Sequence, residues 1–243
     1  MSLQPITIVQ GGQWGSEAKG AVTALVALEH RAPIVVRTGA TNAGHTVIYK
    51  GRPVKMQQLP VGWVNPNATL ILGAGTLIDP AILAREVQEV ARLTGEDVTE
   101  RLLIDRRAGL HLPVHAELSA ASGRHVNMGA TGKGCSEALI DRIQGRSKLE
   151  YLPFGRTDHA SGYTCIDTEN YLNDSIDGGA KVIIEGTQGQ LLDLYTGPYP
   201  YVTHKPTSPA NWLAECGLSP RLPLDIVMVV RTYPIREIGR AHV

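Results

Sequence analysis

Short runs of β-branched and aliphatic residues recur along the chain at Ile6–Val9, Ile34–Arg37, Thr69–Leu72, Leu102–Ile104, Lys181–Glu185 and Asp225–Val230, and they read as strands. Helical spacing falls between several of them. Val22, Leu25, Val26 and Glu29 form one stripe; Ile82, Leu83, Val87 and Val90 form another, opened by Asp79 as N-cap and Pro80 at the first helical position. Ser208 and Pro209 repeat that start signal before Trp212 and Leu213. Strands alternating with helices predict an α/β fold, a mostly parallel sheet covered by helices on both faces, with ligands bound at the carboxyl edge of the strands. There is no repeat, low-complexity tract or Pro/Ser linker, so one domain with loop insertions is the simplest division. Gly123–Tyr163 is the least regular stretch and is expected to be an insertion that orders on binding.

The first strand runs into Gly11–Gly20, GGQWGSEAKG, ahead of an amphipathic segment. A glycine-rich strand-to-helix turn brings unpaired N–H groups and the positive end of a helix dipole close to an anion, and Lys19 adds a mobile charge. This is a P-loop-like first βα turn, but the spacing is not GxxxxGK[ST], because Gly20 stands where that motif has Ser or Thr. Taken alone, it fits a phosphate cradle or a turn whose glycines serve geometry.

Composition narrows the partners. The 243 residues carry equal numbers of acidic and basic side chains, which removes the electrostatic footprint of a general nucleic-acid binder and favours nucleotide monomers over polymers. No apolar run is long enough for a membrane span and no secretory signal is present, so a cytoplasmic protein is expected, with no membrane partner. Cys135, Cys165 and Cys216 are far apart, without the spacing of a disulfide framework or zinc ribbon.

Four further clusters carry candidate chemistry. Gly39–Thr46, GATNAGHT, combines an amide, hydroxyls and the His45 imidazole, suited to a heterocycle or phosphate and to proton donation; a solvated turn is the plain alternative. Gly129–Gly134, GATGKG, is an anion cradle or a flexible loop. Glu185–Gly189 ends an apolar strand, where Gln188 can read a base edge or the segment is simply a tight turn. Tyr199–Thr203 presents Thr203 to a phosphate, or packs its tyrosines. His111 and His115 have i, i+4 spacing, but the intervening Pro113 and the missing glutamate of HExxH argue against zinc. No GxSxG elbow is visible. Arg106, Arg107, Arg142, Arg146 and Arg156 are open to phosphate neutralisation or to solvation.

Together QWGSEAKG, TNAGHT, ATGKG, EGTQGQLLDL and GPYPYVT, in this order, resemble the adenylosuccinate synthetase family, at spacings nearest its short archaeal members. The resemblance implies that family's α/β fold around a large mixed sheet, a homodimer, a nucleoside triphosphate with Mg²⁺, and a purine nucleotide condensed with L-aspartate. In that reaction the purine 6-oxygen is phosphorylated and the aspartate amine then displaces phosphate. It implies catalytic positions at Ser16 and His45, and triphosphate contacts from Gly15, Ser16, Glu17, Ala18, Lys19, Gly20, Gly44, His45 and Thr46. Purine nucleotide contacts are implied for Ser16, Asn42, Ala43, Gly44, His45, Thr131, Gln188 and Thr203, with Arg146 supplied by the neighbouring subunit. The Mg²⁺ ligands would be position 16 and the Gly44 carbonyl.

Two positions depart from the family's WGDEGKG: Ser16 replaces the aspartate that acts as base on purine N1–H, and Ala18 replaces a glycine. A hydroxyl cannot take that proton unaided. The chain is in this respect similar to a phage-encoded branch that carries serine here and uses dGMP to make a 2-aminoadenine nucleotide precursor. The shorter side chain leaves room for the purine 2-amino group, and Glu17 or the substrate's own carboxylate are helper candidates for the proton. The expected activity is therefore a dGMP–aspartate ligase using ATP, the alternatives being an IMP-specific synthetase using GTP or a non-catalytic nucleotide-binding paralogue. Family members continue past the strand at Asp225–Val230 into aspartate- and base-reading segments. Residues 1–237 are accordingly read as one incomplete domain and 238–243 as a non-native tail.

Overall fold

The computed structural model describes residues 4–123, 131–145 and 153–235. In chain order the regular elements are β1 (Ile6–Gly11), α1 (Lys19–Leu28), β2 (Ile34–Arg37), β3 (His45–Tyr49), β4 (Arg52–Met56), β5 (Thr69–Leu72), β6 (Leu77–Ile78), α2 (Pro80–Thr94), β7 (Leu102–Asp105), β8 (Gly109–Leu110), α3 (Pro113–Ala121), α4 (Cys135–Gln144), β9 (Thr164–Ile166), α5 (Thr168–Asp177), β10 (Val182–Glu185), α6 (Pro209–Cys216) and β11 (Leu224–Val229). The main sheet has the order β11-β1-β10-β2-β5-β7-β9, and every pairing within it is parallel. The antiparallel pair β3–β4 is a separate hairpin, and β6–β8 is a short parallel pair of its own.

Alternation along each strand divides the core in two. Val9, Val35, Leu70, Leu72, Leu102, Ile104 and Ile183 pack with Ala24 and Ala27 of α1 and Leu83 and Val90 of α2. Ile6, Ile8, Ile34, Val36, Ile71, Val182 and Ile184 pack on the opposite face with Leu172 and Ile176 of α5 and Trp212, Leu213 and Cys216 of α6. Helices thus cover both faces, as the strand–helix alternation predicts.

Helix starts follow the chemistry of their caps. Asp79 accepts hydrogen bonds from the N–H groups of Ala81 and Ile82 ahead of α2, and Ser208 accepts one from Asn211 ahead of α6. Two expectations need correcting. Helix α1 is present and Val22 and Val26 of its stripe pack against the core, but Leu25 is 63% exposed, and the fully buried positions include Gly20, Thr23, Ala24 and Ala27. Small residues are selected there because strand, helix and hairpin approach closely. The stretch from Gly123 to Tyr163, read as irregular, contains the ten-residue α4, whose Cys135, Ala138 and Leu139 pack against Ala40 and Leu77.

Candidate active site

The neighbouring strands β1, β10 and β2 end at the same edge of the sheet, and the loops that follow them enclose a cavity of about 820 Å³. Gly15, Ser16, Ala18, Lys19 and Gly20 line it from the first loop; Asn42, Ala43, Gly44, His45 and Thr46 from the second; Thr131, Gln188 and Thr203 from three others. Segments far apart in sequence are brought together where a parallel sheet presents its carboxyl edge. Glu17 does not line this space. It is 3% exposed and turned inward, accepting the Gly15 N–H at 2.7 Å and pairing with Lys19 at 3.1 Å. Arg146 lies outside the described residues, as do Gly129 and Ala130 and the segment 238–243.

Lys19 is held inside the loop it was expected to complete. Its Nζ donates to Glu17 and, at 2.9 Å, to the Gly15 carbonyl; burial lowers its pKa and the Glu17 charge partly restores it. Gly20 is required by packing. A Cβ there would stand 2.6 Å from the Cβ of His45, so only glycine lets β3 settle on the start of α1.

The electrostatic centre is Glu185, the last residue of β10, in register with Arg37 at the end of β2. Arg37 donates to Glu185 Oε1 at 2.8 Å, His45 Nδ1 contacts the same oxygen, and the Val61 N–H donates to Oε2 at 2.8 Å. Arg37 also donates to the carbonyls of Ala43 at 3.1 Å and Gln57 at 2.8 Å, tying the second loop to the strand. Burial opposes ionisation of Glu185, but Arg37, His45 and the Val61 N–H outweigh it and hold the carboxyl below its ordinary pKa. His45 is pushed down to about 4 by burial and by the Arg37 charge, against the pull of Glu185. The imidazole is therefore neutral near pH 7, with Nδ1–H given to Glu185 and Nε2 left for proton exchange. Sequence reasoning assigned no role to Arg37 or Glu185; their signal was a charged residue closing each of two apolar strands.

The other loops around the cavity are braced by similar means. His111 takes a hydrogen bond from the Thr41 hydroxyl at 2.9 Å and donates from Nε2 to the Lys133 carbonyl at 2.7 Å, joining the second loop to Thr131–Gly134. His115 accepts the Leu112 N–H at 2.9 Å and donates to Asp141 at 2.9 Å. Both rings are thus committed to protein partners, which accounts for their spacing without zinc, and no metal-ligating cluster exists among the described residues. Asn42 Oδ1 is buried with no partner among the described residues, and Asn42 lines the cavity. Gln188 adopts a left-handed φ of 64°, and the Thr203 N–H is anchored on the Leu192 carbonyl at 2.8 Å. Asp193 fixes the surrounding loop by accepting the N–H groups of Tyr195, Thr196 and Thr207. Arg231, another lining residue, donates to the Ser16 carbonyl at 3.0 Å, and its own N–H and C=O are paired with the Gln13 amide. Arg107 is engaged by Asp105, Asp167 and Glu169, and Arg142 by the carbonyls of Ala74 and Arg107, so neither serves the cavity.

A magnesium ion prefers carboxylates and phosphate oxygens. Ser16 and Gly44 offer only a hydroxyl and a carbonyl, while Glu17 and Glu185 already use their oxygens on internal donors. These loop residues do not make a carboxylate-anchored metal site.

The adenylosuccinate synthetase family model matches residues 8–151 and 155–241. The chain belongs to the adenylosuccinate synthetase family. It is 40% identical over 233 residues to the adenylosuccinate synthetase of Methanococcus vannielii, covering 95% of this chain and 66% of that protein. It is 38% identical over 238 residues to that of Pyrococcus sp. (strain ST700), covering 96% and 67%. Among solved structures it superposes on the cyanophage S-2L succinoaminodeoxyadenylate synthetase (PurZ), bound to dGMP and dATP as an energy donor, with a TM-score of 0.83, 26% identity and coverage of 96% of this chain and 65% of that one. The fully ligated Plasmodium falciparum adenylosuccinate synthetase shares the fold, with a TM-score of 0.83 at 21% identity, covering 98% and 64%. The chain thus spans about two thirds of the length of its relatives. No helix among the described residues is long and apolar enough to cross a membrane.

Proposed function

We propose that this chain carries the nucleotide-activating part of a ligase that condenses L-aspartate with the 6-position of a purine nucleotide, with dGMP as that nucleotide. A nucleoside triphosphate brought as its Mg²⁺ complex, ATP in this reading, places its outer phosphates against the loop at the start of α1. Asn42, Thr131, Gln188 and Thr203 hold the purine nucleotide, and His45 faces its 6-oxygen. Phosphoryl transfer to that oxygen converts a poor leaving group into phosphate ester, which the aspartate amine displaces. His45, oriented by Glu185 through Nδ1–H, has Nε2 free to take up the proton that purine N1 gives up as the γ-phosphoryl group moves to the 6-oxygen and the nucleoside diphosphate leaves; the imidazolium so formed then donates to that oxygen. A homodimer, with Arg146 reaching the partner's site, belongs to the same reading.

The observation that carries the choice of dGMP is Ser16, lining the cavity where the family has an aspartate. A hydroxyl occupies less space than a carboxymethyl group, leaving room beside N1 for the 2-amino group, and its oxygen can accept a hydrogen bond from that amine. The cyanophage synthetase, solved with dGMP and dATP, supports this reading by its likeness of fold. A second reading, IMP with GTP, is favoured by the 38–40% identity to archaeal adenylosuccinate synthetases.

The test offers dGMP or IMP, in turn, with aspartate, Mg²⁺ and ATP or GTP, and follows the succinyl-purine product by mass spectrometry. Product from dGMP, and loss of that preference in Ser16→Asp, is the expected result. Turnover of IMP alone would replace the substrate assignment, and tight nucleotide binding with no product would indicate a non-catalytic relative.

A further inference from the structure

The hairpin β3–β4 brings one more cation to the phosphate end of the cavity. Lys55 stands opposite Thr46 in the antiparallel register, and both residues sit on the exposed side of the hairpin and line the cavity. Its side chain runs across Gly44: a Cβ at Gly44 would lie 2.2 Å from Lys55 Cε and 3.1 Å from Nζ. The absence of a side chain at position 44 therefore gives Lys55 its path over the second loop.

Charge balance gives that placement its meaning. Lys19, the loop's own lysine, is neutralised by Glu17, and Arg37 is neutralised by Glu185. Lys55 has no ion pair or hydrogen bond among the described residues, and its ammonium is free to meet an incoming anion. A triphosphate entering at the N-terminus of α1 carries several negative charges, and Ser16 and Gly44 supply none of the carboxylate that would fix a metal beside them. A lysine that runs across Gly44 and lines the cavity with an unpaired ammonium is suited to neutralising them.

We propose that Lys55 is a phosphate-binding residue for the triphosphate donor, closing on the outer phosphates from the hairpin while the loop N–H groups hold them from below. The assignment rests on the ligase reading, because it presumes a triphosphate at this end of the cavity.

Inorganic tripolyphosphate and a non-hydrolysable ATP analogue, titrated into the full chain by calorimetry, test it. Lys55→Met should weaken both by roughly tenfold or more, Lys55→Arg should retain binding within about threefold, and dGMP affinity should stay within about twofold. Lys50→Met is the control for general charge, since Lys50 lies on the same hairpin over the Tyr49 ring and does not line the cavity. If Lys55→Met binds tripolyphosphate as the parent does, or Lys50→Met loses as much, the assignment is wrong while the ligase reading stands. If the parent chain binds neither probe, the assignment and the triphosphate-donor reading fall together.

Discussion

Glu185 accepts from Arg37, His45 and the Val61 N–H, and without its charge the buried Arg37 keeps two carbonyl acceptors but loses its counter-ion. Glu185→Gln is expected to cost about 3 kcal/mol in urea unfolding, because removing one partner strands the Arg37 charge in the core. Under the proposed function the same variant should lower kcat by roughly 100-fold, with little change in the KM for triphosphate, since His45 loses its orienting partner and the loop at α1 does not. An equal loss in kcat and in triphosphate affinity would contradict that division of labour. Titration of His45 gives a second check. The unfolded chain binds a proton at this residue near pH 6.5, whereas the folded chain does so only near 4. Between those values the unfolded state holds the extra proton, so stability falls as the pH is lowered through this window. His111 and His204, both shifted down by burial, act with the same sign. The thermal midpoint should therefore drop from pH 6.5 towards 4, with a shallower slope in His45→Gln. At this scale His45, Asn42 and Gln188 were legible as polar residues in glycine-rich loops. Glu185 and Arg37 were not, because a buried ion pair across two strands has no sequence spacing of its own.

At the scale of elements, α1 begins under strain that its sequence announces. Ala18, the N-cap, has φ 72° and ψ 34° and makes no side-chain capping bond. A left-handed conformation is disfavoured for a residue with a Cβ by about 1 kcal/mol or more. Ala18→Gly should raise unfolding free energy by about 1 kcal/mol, reduced in part by the greater freedom of glycine in the unfolded chain. A neutral or negative change would show that the Ala18 methyl group makes compensating contacts. The caps of α2 and α6 were readable because Asp79–Pro80 and Ser208–Pro209 state both the bond and the starting φ. The hairpin was not, although Lys50 and Gly51, at φ 49° and 77°, make its tight turn and His45, Val47 alternate inward against exposed Thr46 and Ile48. Its first strand is shared with the motif TNAGHT, so a loop reading absorbed the period-two pattern. The face of α1 was legible only in part: Val22 and Val26 pack on the core, but the large residues Leu25 and Leu28 point outward, and small residues take the fully buried positions.

At the scale of the molecule, six of the seven strands of the main sheet and their parallel direction followed from β-branched runs separated by helices; the three-residue β9 is too short to show a run, and the order β11-β1-β10-β2 depends on side-chain packing between distant segments. That order leaves β11 at one margin of the sheet. It pairs with β1 on one side, and among the described residues no strand pairs with the other. The same strand turns Ile226 and Met228 outward, 49% and 58% exposed, with Val230 at 62% just beyond its end. In register, Ile226 stands beside Ile8, on the face where α5 and α6 pack, yet it lies past the cover those helices provide. An open parallel edge next to an apolar strip invites pairing with another molecule, through backbone hydrogen bonds and apolar contact together. The 243-residue chain is therefore expected to form species larger than a dimer as concentration rises in sedimentation velocity. The paired substitution Ile226→Lys, Met228→Lys should suppress them, because an ammonium on this strip must be desolvated for the edges to meet. Leu25→Lys, equally exposed but on the surface of α1, should not. A concentration-independent monomer or dimer for the parent chain, or equal relief from Leu25→Lys, would show that this margin is not the adhesive surface.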